Sequence, residues 1–235
     1  MIVTPAELRA RIVAGVLQHF ERSMPIYQQM MDVAREINQS AGAETAERLG
    51  RIMHAAIRCA CPAELQTIGE IMAVIGCYPV NYYDLREKVS VQSTAFRPIN
   101  VNEIKENGFR LFCSMLSMDC IDKNERPFIQ SVIDRRNLFS EDFLSLIQIG
   151  LKNQGLAPEQ ADLFVKFCVK LFIRPRDAIV SVGEYERLRS INKVAAQVLV
   201  SNSLAFNHLT PSVASVPLAH EIMQQRGIAT IPVWQ

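Results

Sequence analysis

The stretch Ile52-Met53-His54-Ala55-Ala56-Ile57-Arg58-Cys59 partly alternates apolar and polar side chains. Such alternation is typical of a half-buried β-strand, in which successive side chains point to opposite faces. In a strand, His54 and Arg58 would therefore lie on the same face. In a helix, their spacing of four residues would bring them together as well. On either interpretation, an imidazole and a guanidinium can converge here.

Outward from this stretch, the sequence predicts a protein of the α+β class. Helical periodicity and capping residues predict helices on both sides of it, at 4–23, 25–39, 43–51 and 61–75. Two strands with a charged turn between them follow, at 78–85 and 89–97. Helices combined with short sequential strands indicate α+β rather than an all-helical protein.

The segment 102–175 is predicted to be helical, with helical periodicity at 109–116, 125–137, 140–155 and 158–172. After Pro175 the sequence predicts a helix, a strand, a second helix and a last strand, at 184–200, 205–211, 217–225 and 228–233. The chain thus divides into N-terminal helices, a first β-containing segment, a helical insertion and a second β-containing segment, at 1–51, 52–101, 102–175 and 176–235.

Composition favours a folded chain and argues against several classes of function. Of the 235 residues, 49% are hydrophobic and 21% are charged, and the net charge is +1. Because there is no basic excess, we expect no nucleic-acid partner. The sequence has neither a secretory signal nor a run of about twenty apolar residues, so we expect no membrane association. The six cysteines lie in apolar periodic segments, which favours reduced thiols and a cytoplasmic protein.

Two of the four histidines are candidate metal ligands. His54 and His208 each lie in an apolar, strand-like segment, where a buried imidazole needs a partner. Spacing alone favours structural histidines with satisfied hydrogen bonds. Together with a carboxylate, however, two histidines would form the open facial triad of non-haem iron(II) enzymes. His19 is predicted to be structural or exposed, and His220 is predicted to face solvent.

Four runs follow one another along the chain: His54-Ala55-Ala56-Ile57-Arg58, Tyr78-Pro79-Val80-Asn81-Tyr82-Tyr83-Asp84-Leu85, Ser93-Thr94-Ala95-Phe96-Arg97-Pro98 and Asn207-His208-Leu209-Thr210-Pro211. Together they resemble the 2-oxoadipate dioxygenase/decarboxylase family. Four matches in order are far more specific than any one of them alone. The resemblance covers nearly the whole chain and about the N-terminal half of a long family member.

The resemblance implies a vicinal-oxygen-chelate-like β-sheet with a large helical insertion, incomplete at the C-terminus of this chain. It implies one iron(II) ion, Fe(2+), held by two histidines and a glutamate, with His54 as the first histidine and His208 as the second. Arg58 matches the arginine that holds the substrate carboxylate, which makes it the expected catalytic residue. His54, Arg58 and His208 are the expected substrate contacts. The implied reaction converts 2-oxoadipate and O2 into 2-hydroxyglutarate and CO2 in lysine degradation.

The residue types suit that chemistry. Neutral imidazoles bind iron(II), which needs open positions for O2 and for a 2-oxo acid that chelates through its carboxylate and keto oxygens. A guanidinium can grip a carboxylate through two parallel hydrogen bonds, which a lysine cannot reproduce as rigidly. Without the motif, a surface salt bridge would be the simpler interpretation of Arg58.

The chain departs from the family pattern at three positions. Ala55 replaces a usual glycine, Gln92 a common histidine that could support the site, and Ser212 a usual arginine. The glutamate ligand belongs to a C-terminal part of the family. Asp84 and Glu221 could be suggested as substitutes, but neither lies in a supporting motif.

Two other functions remain open on the sequence. The strand-like end at Trp234-Gln235 favours a truncated or split-gene product that acts as an interaction module. Such a module would associate with itself or with a separate C-terminal chain through exposed apolar surface. A hydrolase that uses Cys59 or Cys61 with a histidine is weakly supported, because neither an orienting group nor an oxyanion motif accompanies the thiols.

Overall fold

The computed structural model describes residues 2–231, and its strands form one mixed sheet. The strands are β1 (Met53–Cys59), β2 (Tyr78–Leu85), β3 (Val91–Arg97), β4 (Arg110–Leu116) and β5 (His208–Pro211). Their order across the sheet is β2-β3-β4-β1-β5. β1 is parallel to β4, whereas the other neighbouring strands are antiparallel. The stretch around His54 is therefore an interior strand between β4 and β5.

Helices precede, connect and follow the strands. Before β1 come α1 (Pro5–Ser23), α2 (Pro25–Ser40) and α3 (Ala43–Gly50). Within the β1–β4 region lie α4 (Pro62–Val74), α5 (Arg86–Val89) and α6 (Val101–Glu106). Between β4 and β5 lie a 3-10 turn at Met118–Cys120, α7 (Arg126–Ile133), α8 (Glu141–Asn153), α9 (Pro158–Phe172), α10 (Val182–Ile191) and α11 (Lys193–Leu199). After β5 comes α12 (Val216–Gln225). None of these described helices is long and apolar enough to cross a membrane.

The α+β class and most of the predicted elements are confirmed. α1 begins after Thr4, whose hydroxyl accepts the N–H of Glu7 at 3.3 Å. In the same way, α8 begins after Ser140, whose hydroxyl accepts the N–H of Phe143 at 3.3 Å. Such caps satisfy N–H groups that have no partner inside the helix. Each cap contact spans only three residues, so the sequence alone predicts where these helices begin.

The helical prediction for 109–116 is wrong, because Arg110–Leu116 forms β4 in the middle of the sheet. Leu111 and Cys113 on one face and Ser114 and Leu116 on the other are all buried. A strand covered on both faces has a nearly continuous apolar sequence. Periodicity cannot distinguish such a run from a buried helix segment, and that ambiguity produced the error.

Two further predictions need correction. The helix predicted at 184–200 is two helices, α10 and α11, because the side chain of Asn192 accepts the N–H groups of Val194 and Ala195 and starts a new helix. The strand predicted at 228–233 is not formed over 228–231. The rest of that segment and the end at Trp234-Gln235 lie outside the described residues.

Two apolar clusters pack against the sheet. The main core places Ala55, Ile57 and Leu209 against helices α1, α4, α8 and α9. A second cluster joins Ala60 and Leu116 to helices α7, α10 and α11. By strand alternation, these two residues belong to the face opposite the main core. The second cluster therefore covers only the end of that face where β1 and β4 finish.

Polar side chains of α2 hold β5 at the edge of the sheet. The Tyr27 hydroxyl donates to the carbonyl oxygen of Leu209, within β5. The Asn38 amide donates to the carbonyl oxygen of Ser212 at 2.9 Å and accepts the N–H of Ala214 at 2.9 Å. These contacts satisfy backbone groups of β5 and of the residues just after it, and they hold this edge of the sheet against α2.

A buried ion pair fastens the second cluster to the sheet. The side chains of Arg136, after α7, and Glu64, in α4, are 2% and 8% exposed, with 2.6 Å between Nε and Oε1. Glu64 also accepts the N–H of Ala60, just after β1, at 2.7 Å. Arg136 donates to the carbonyl oxygens of Val198 and Ser201, each at 2.6 Å. The end of β1 is thereby tied to the segment that leads into β5.

Replacing Arg136 with methionine is expected to lower the free energy of unfolding by about 3–5 kcal/mol, because the Glu64 carboxylate would remain buried without its partner. Urea denaturation measures this loss. Adding Glu64→Met to Arg136→Met should recover part of the lost stability, because the unpaired carboxylate is then removed.

The neighbouring Arg135 provides a matched control. Its side chain pairs with Glu184 at 2.7 Å but is 44% exposed. Exposed pairs contribute at most about 1 kcal/mol, so Arg135→Met should change stability little. Equal losses for Arg135→Met and Arg136→Met would contradict the structural role of the buried pair.

Candidate functional site

β1 carries His54 and Arg58 on the same face, as the sequence predicts. Met53 and Ile57, which alternate with them, are buried in the main core. His54 and Arg58 lie on the opposite face, which the second cluster covers only at one end. Both side chains are therefore only half-buried. We call the uncovered part of that face the open face, and it carries His54, Arg58, His208, Arg110 and Phe112.

The antiparallel pairing of β1 with β5 brings His208 to the open face. His208 lies directly opposite Ala56, and Thr210 lies opposite His54. Ala56 is flanked on its own face by His54 and Arg58, so His208 is the diagonal neighbour of both. Diagonal neighbours across an antiparallel pair have Cβ atoms about 7 Å apart or less, within reach of long side chains. The three predicted site residues therefore converge.

Strand β4 supplies the opposite side of the open face. Arg110 is in register with His54, and Phe112 follows it on the same face. The Phe112 ring lies 5.4 Å from the ring of Tyr83 on β2. Two imidazoles are thus bordered by two arginines, Arg58 and Arg110, and by an aromatic surface. This combination suits a ligand with negative charge and an aliphatic body.

Hydrogen bonds orient both polar groups of β1. The His54 Nε2 atom lies 2.8 Å from the Ser212 hydroxyl. Arg58 donates to the carboxamide oxygen of Gln197 on α11, and Gln197 donates to the side-chain oxygen of Asn207 at 3.3 Å. Sequence reasoning missed Gln197, for which no motif gives a signal. Asn207 belonged to a recognised run, and Ser212 was noted only as a departure.

Both histidines are shifted toward the neutral form. Burial lowers the pKa of His54, and the nearby Arg110 and His208 lower it further. Burial also lowers the pKa of His208. A neutral imidazole is the form that binds a metal ion, so the open face keeps both groups ready as ligands at neutral pH. Burial lowers the pKa of Arg58 as well, but free guanidinium titrates above about 12, so its charge is retained.

The residue types present fit part of an iron(II) site. Two neutral imidazoles are suitable ligands, but no cluster of three or more His, Cys, Asp or Glu side chains occurs within residues 2–231. The two carboxylates considered as substitutes do not join the histidines. Asp84 is held by Arg86 at 2.6 Å, and Glu221 accepts a hydrogen bond from Gln225 on α12 at 3.2 Å.

Gln92, considered as a possible support for the site, lies on the other face of the sheet. It is in register with Met115, which is in register with Cys59, and Cys59 belongs to the main core. The neighbouring Ser93 points instead to the side of the open face, where its hydroxyl donates to Ser114 at 2.9 Å.

The cysteine-hydrolase alternative finds no support at Cys59. Its thiol is fully buried in the main core, 3.4 Å from the sulfur of Cys113. The hydrogen bond with Cys113 and burial raise its pKa well above the usual range. Such a thiol is a poor nucleophile, because the reactive species is the thiolate.

A comparison of the sequence with models of protein families decides which family the chain belongs to. The model of the 2-oxoadipate dioxygenase/decarboxylase family matches residues 12–235. The chain belongs to this family. A 2-oxoadipate dioxygenase/decarboxylase of Mycobacterium tuberculosis is 34% identical over 97% of this chain and 58% of its own length. One from Pseudomonas putida is 31% identical over 96% of this chain and 52% of its own length. The chain thus spans about half the length of the curated relatives that it matches.

Solved structures agree with the family. Hydroxyglutarate synthase from Pseudomonas putida, crystallised with 2-oxoadipate, matches with a TM-score of 0.89 and 31% identity, covering 96% of this chain and 53% of that protein. A glyoxalase superfamily protein from Ralstonia eutropha matches with a TM-score of 0.72 at 16% identity, covering 96% of this chain and 68% of that protein. The second likeness concerns the fold alone, and it agrees with the expected vicinal-oxygen-chelate-like sheet.

Replacing Arg110 with glutamine is expected to raise the pKa of His54, because a positive charge that disfavours the imidazolium is removed. An NMR titration of the metal-free chain measures this pKa. The folded-state pKa lies below the unfolded value of about 6.5, so this group costs stability as the pH falls below that value. Arg110→Gln should therefore reduce the loss of stability at acidic pH.

Arg35→Gln is the matched control for Arg110→Gln. It removes the same charge from the exposed side of α2, where Arg35 pairs with Asp32 at 2.9 Å. This variant should leave the titration of His54 unchanged. A His54 pKa that is the same in Arg110→Gln and in the parent chain would show that Arg110 does not face the imidazole.

Proposed function

We propose that this chain supplies the two-histidine part of an iron(II) site, together with the carboxylate grip, of an enzyme that acts on 2-oxoadipate. The reaction would take 2-oxoadipate and O2 to 2-hydroxyglutarate and CO2. The observation that carries the proposal is the convergence of His54, His208 and Arg58 on the open face. Family membership and the likeness to a synthase crystallised with 2-oxoadipate support the choice of substrate.

His54 and His208 would hold the metal ion. Bound iron(II) would supply Lewis-acid chemistry and open positions for O2 and for a 2-oxo acid, whose carboxylate and keto oxygens can chelate a metal ion. The protein contributes imidazoles whose pKa values are lowered by burial, which favours the neutral form that binds metal ions. Ser212, hydrogen-bonded to Nε2 of His54, would have to turn away if that nitrogen binds the ion.

Arg58 would hold the carboxylate at the far end of the substrate. Four residues of strand separate it from His54, which is about 13 Å between Cα atoms. Strand side chains stand roughly perpendicular to the sheet, so the imidazole and the guanidinium would rise side by side and leave room between them for a six-carbon dicarboxylate. Gln197 would orient the guanidinium through the hydrogen bond that it accepts. Phe112 and Tyr83 would line the aliphatic part of the substrate.

A carboxylate from outside residues 2–231 would complete the metal site. The described residues bring no third ligand to the histidines. We therefore propose that this ligand comes from additional sequence or from another chain. Until it is supplied, two imidazoles should hold iron(II) only weakly, and turnover by the chain alone should be low.

The lack of a third metal ligand among the described residues also favours a second candidate function, an interaction module without turnover. Polar and aromatic side chains on the open face are only half-buried. Elsewhere on the sheet, Tyr82 of the edge strand β2 is 63% exposed. The module would associate with itself or with a second chain. Oxygen consumption and CO2 release in the presence of 2-oxoadipate and iron(II) would distinguish the enzyme from the module.

Replacing either His54 or His208 with alanine is expected to weaken iron(II) binding by more than about tenfold, because half of the available ligand set is lost. An anaerobic titration with iron(II) measures this affinity. His19→Ala, on α1, is the matched control and should bind as the parent chain does. Unchanged binding in both His54→Ala and His208→Ala would overturn the proposed metal site.

Replacing Arg58 with glutamine is expected to weaken the binding of 2-oxoadipate by about tenfold or more, because a charge-assisted bidentate contact is lost. Anaerobic titration of the iron(II)-loaded protein with 2-oxoadipate measures the change. 2-Oxohexanoate, which lacks the far carboxylate, should bind the variant and the parent chain equally. An equal loss for both acids would place Arg58 at the metal-chelating end instead.

A further inference from the structure

A surface groove lies beside α10 and α11, away from the histidines. Its walls come from the segment 174–182 and from the facing sides of the two helices, and its volume is about 540 Å3. That volume is within the range of small-molecule sites in proteins, roughly 300–1,000 Å3. The groove lies in the helical part between β4 and β5, which the proposed reaction does not use.

Three cationic side chains line the groove: Arg174, Arg189 and Lys193. Of the residues that the structure describes, no aspartate or glutamate lines the groove. Within residues 2–231, none of the three forms an ion pair or a side-chain hydrogen bond. Their neighbours behave differently, since Arg187 on α10 pairs with Glu125 at 2.8 Å and Arg135 pairs with Glu184 at 2.7 Å. The positive charge in the groove is therefore locally uncompensated.

The groove is apolar between these charges. Val180, Ala196 and Val200 contribute to its lining. A ligand that satisfies such a surface needs anionic groups for the cations and an aliphatic body for the apolar wall. Guanidinium groups can bind carboxylates through two parallel hydrogen bonds, and an aliphatic chain between two carboxylates would cover the apolar wall. We propose that the groove is a second ligand site, for a short aliphatic dicarboxylate, separate from the open face.

One residue links the groove to the candidate active site. Gln197 lies in the wall of the groove, and its carboxamide oxygen accepts a hydrogen bond from Arg58. Gln197 and Arg174 also line a small cavity that reaches Arg58. A dicarboxylate in the groove would thus lie one side chain away from the guanidinium proposed to hold the substrate. The proposal itself rests on the groove and not on the proposed reaction.

The test uses adipate and the metal-free chain. Adipate carries two carboxylates but no keto group, so its binding does not depend on the metal site. Isothermal titration calorimetry should detect adipate binding that weakens as the salt concentration rises. The double variant Arg189→Gln/Lys193→Gln should bind adipate about tenfold more weakly or worse, because two charge-assisted contacts are lost. Circular dichroism on the same samples checks that the variant is folded.

Two further variants locate the site. Arg187→Gln removes the same charge from the same helix outside the groove and should leave the affinity for adipate unchanged. Arg58→Gln should retain adipate binding, since the groove does not include Arg58. Absence of binding at millimolar adipate, or a loss caused by Arg58→Gln but not by the double variant, would overturn the proposal. Inorganic phosphate binding as tightly as adipate would overturn the assignment to a dicarboxylate.

Discussion

The buried pair of Arg136 and Glu64 is the constraint on which the geometry of the open face depends. One carboxylate binds both the guanidinium and the N–H of Ala60, so the end of β1 and the end of α11 are fixed to a common point. α11 carries Gln197, which orients Arg58, and the chain after α11 enters β5, which carries His208. Two charges are expensive to bury unless every polar atom is satisfied. Here the contacts that satisfy the two charges tie α4, α11 and the end of β1 together beneath the site.

Partial covering of one sheet face accounts for the chemistry that the chain can support. The second cluster shields the far end of this face, while the end near His54 is left open to a ligand. Partial burial there disfavours protonated imidazoles, and Arg110 adds to the effect at His54. Arg110 and Arg58, which border the imidazoles, would also provide positive charge for the anionic substrate proposed above. The lowered pKa of His54 and the attraction proposed for an anionic substrate would thus share one electrostatic environment.

Much of the site was predictable because its decisive pattern is local. Alternation within β1 placed His54 and Arg58 on one face, and four ordered runs singled out His208, which β5 brings to the same face. β4 was not predictable from periodicity, because its second half is buried on both faces and its sequence therefore does not alternate as a half-buried strand does. With β4 misassigned, the register that sets Arg110 beside His54 could not be foreseen either. The register between β1 and β4 joins residues that are far apart in the chain, so no short window of sequence predicts it.

The sequence by itself determined the α+β class, the helix starts at residues such as Thr4 and Ser140, and the family to which the chain belongs. Caps and strand alternation act over a few residues, so their physics is written in neighbouring side chains. Only the tertiary structure decided that Ser212 meets His54 and that Gln197 meets Arg58, contacts that span 158 and 139 residues of chain. Those contacts depend on strand register and on a buried ion pair between distant elements. They exist only once the sheet and the helical layer have packed together.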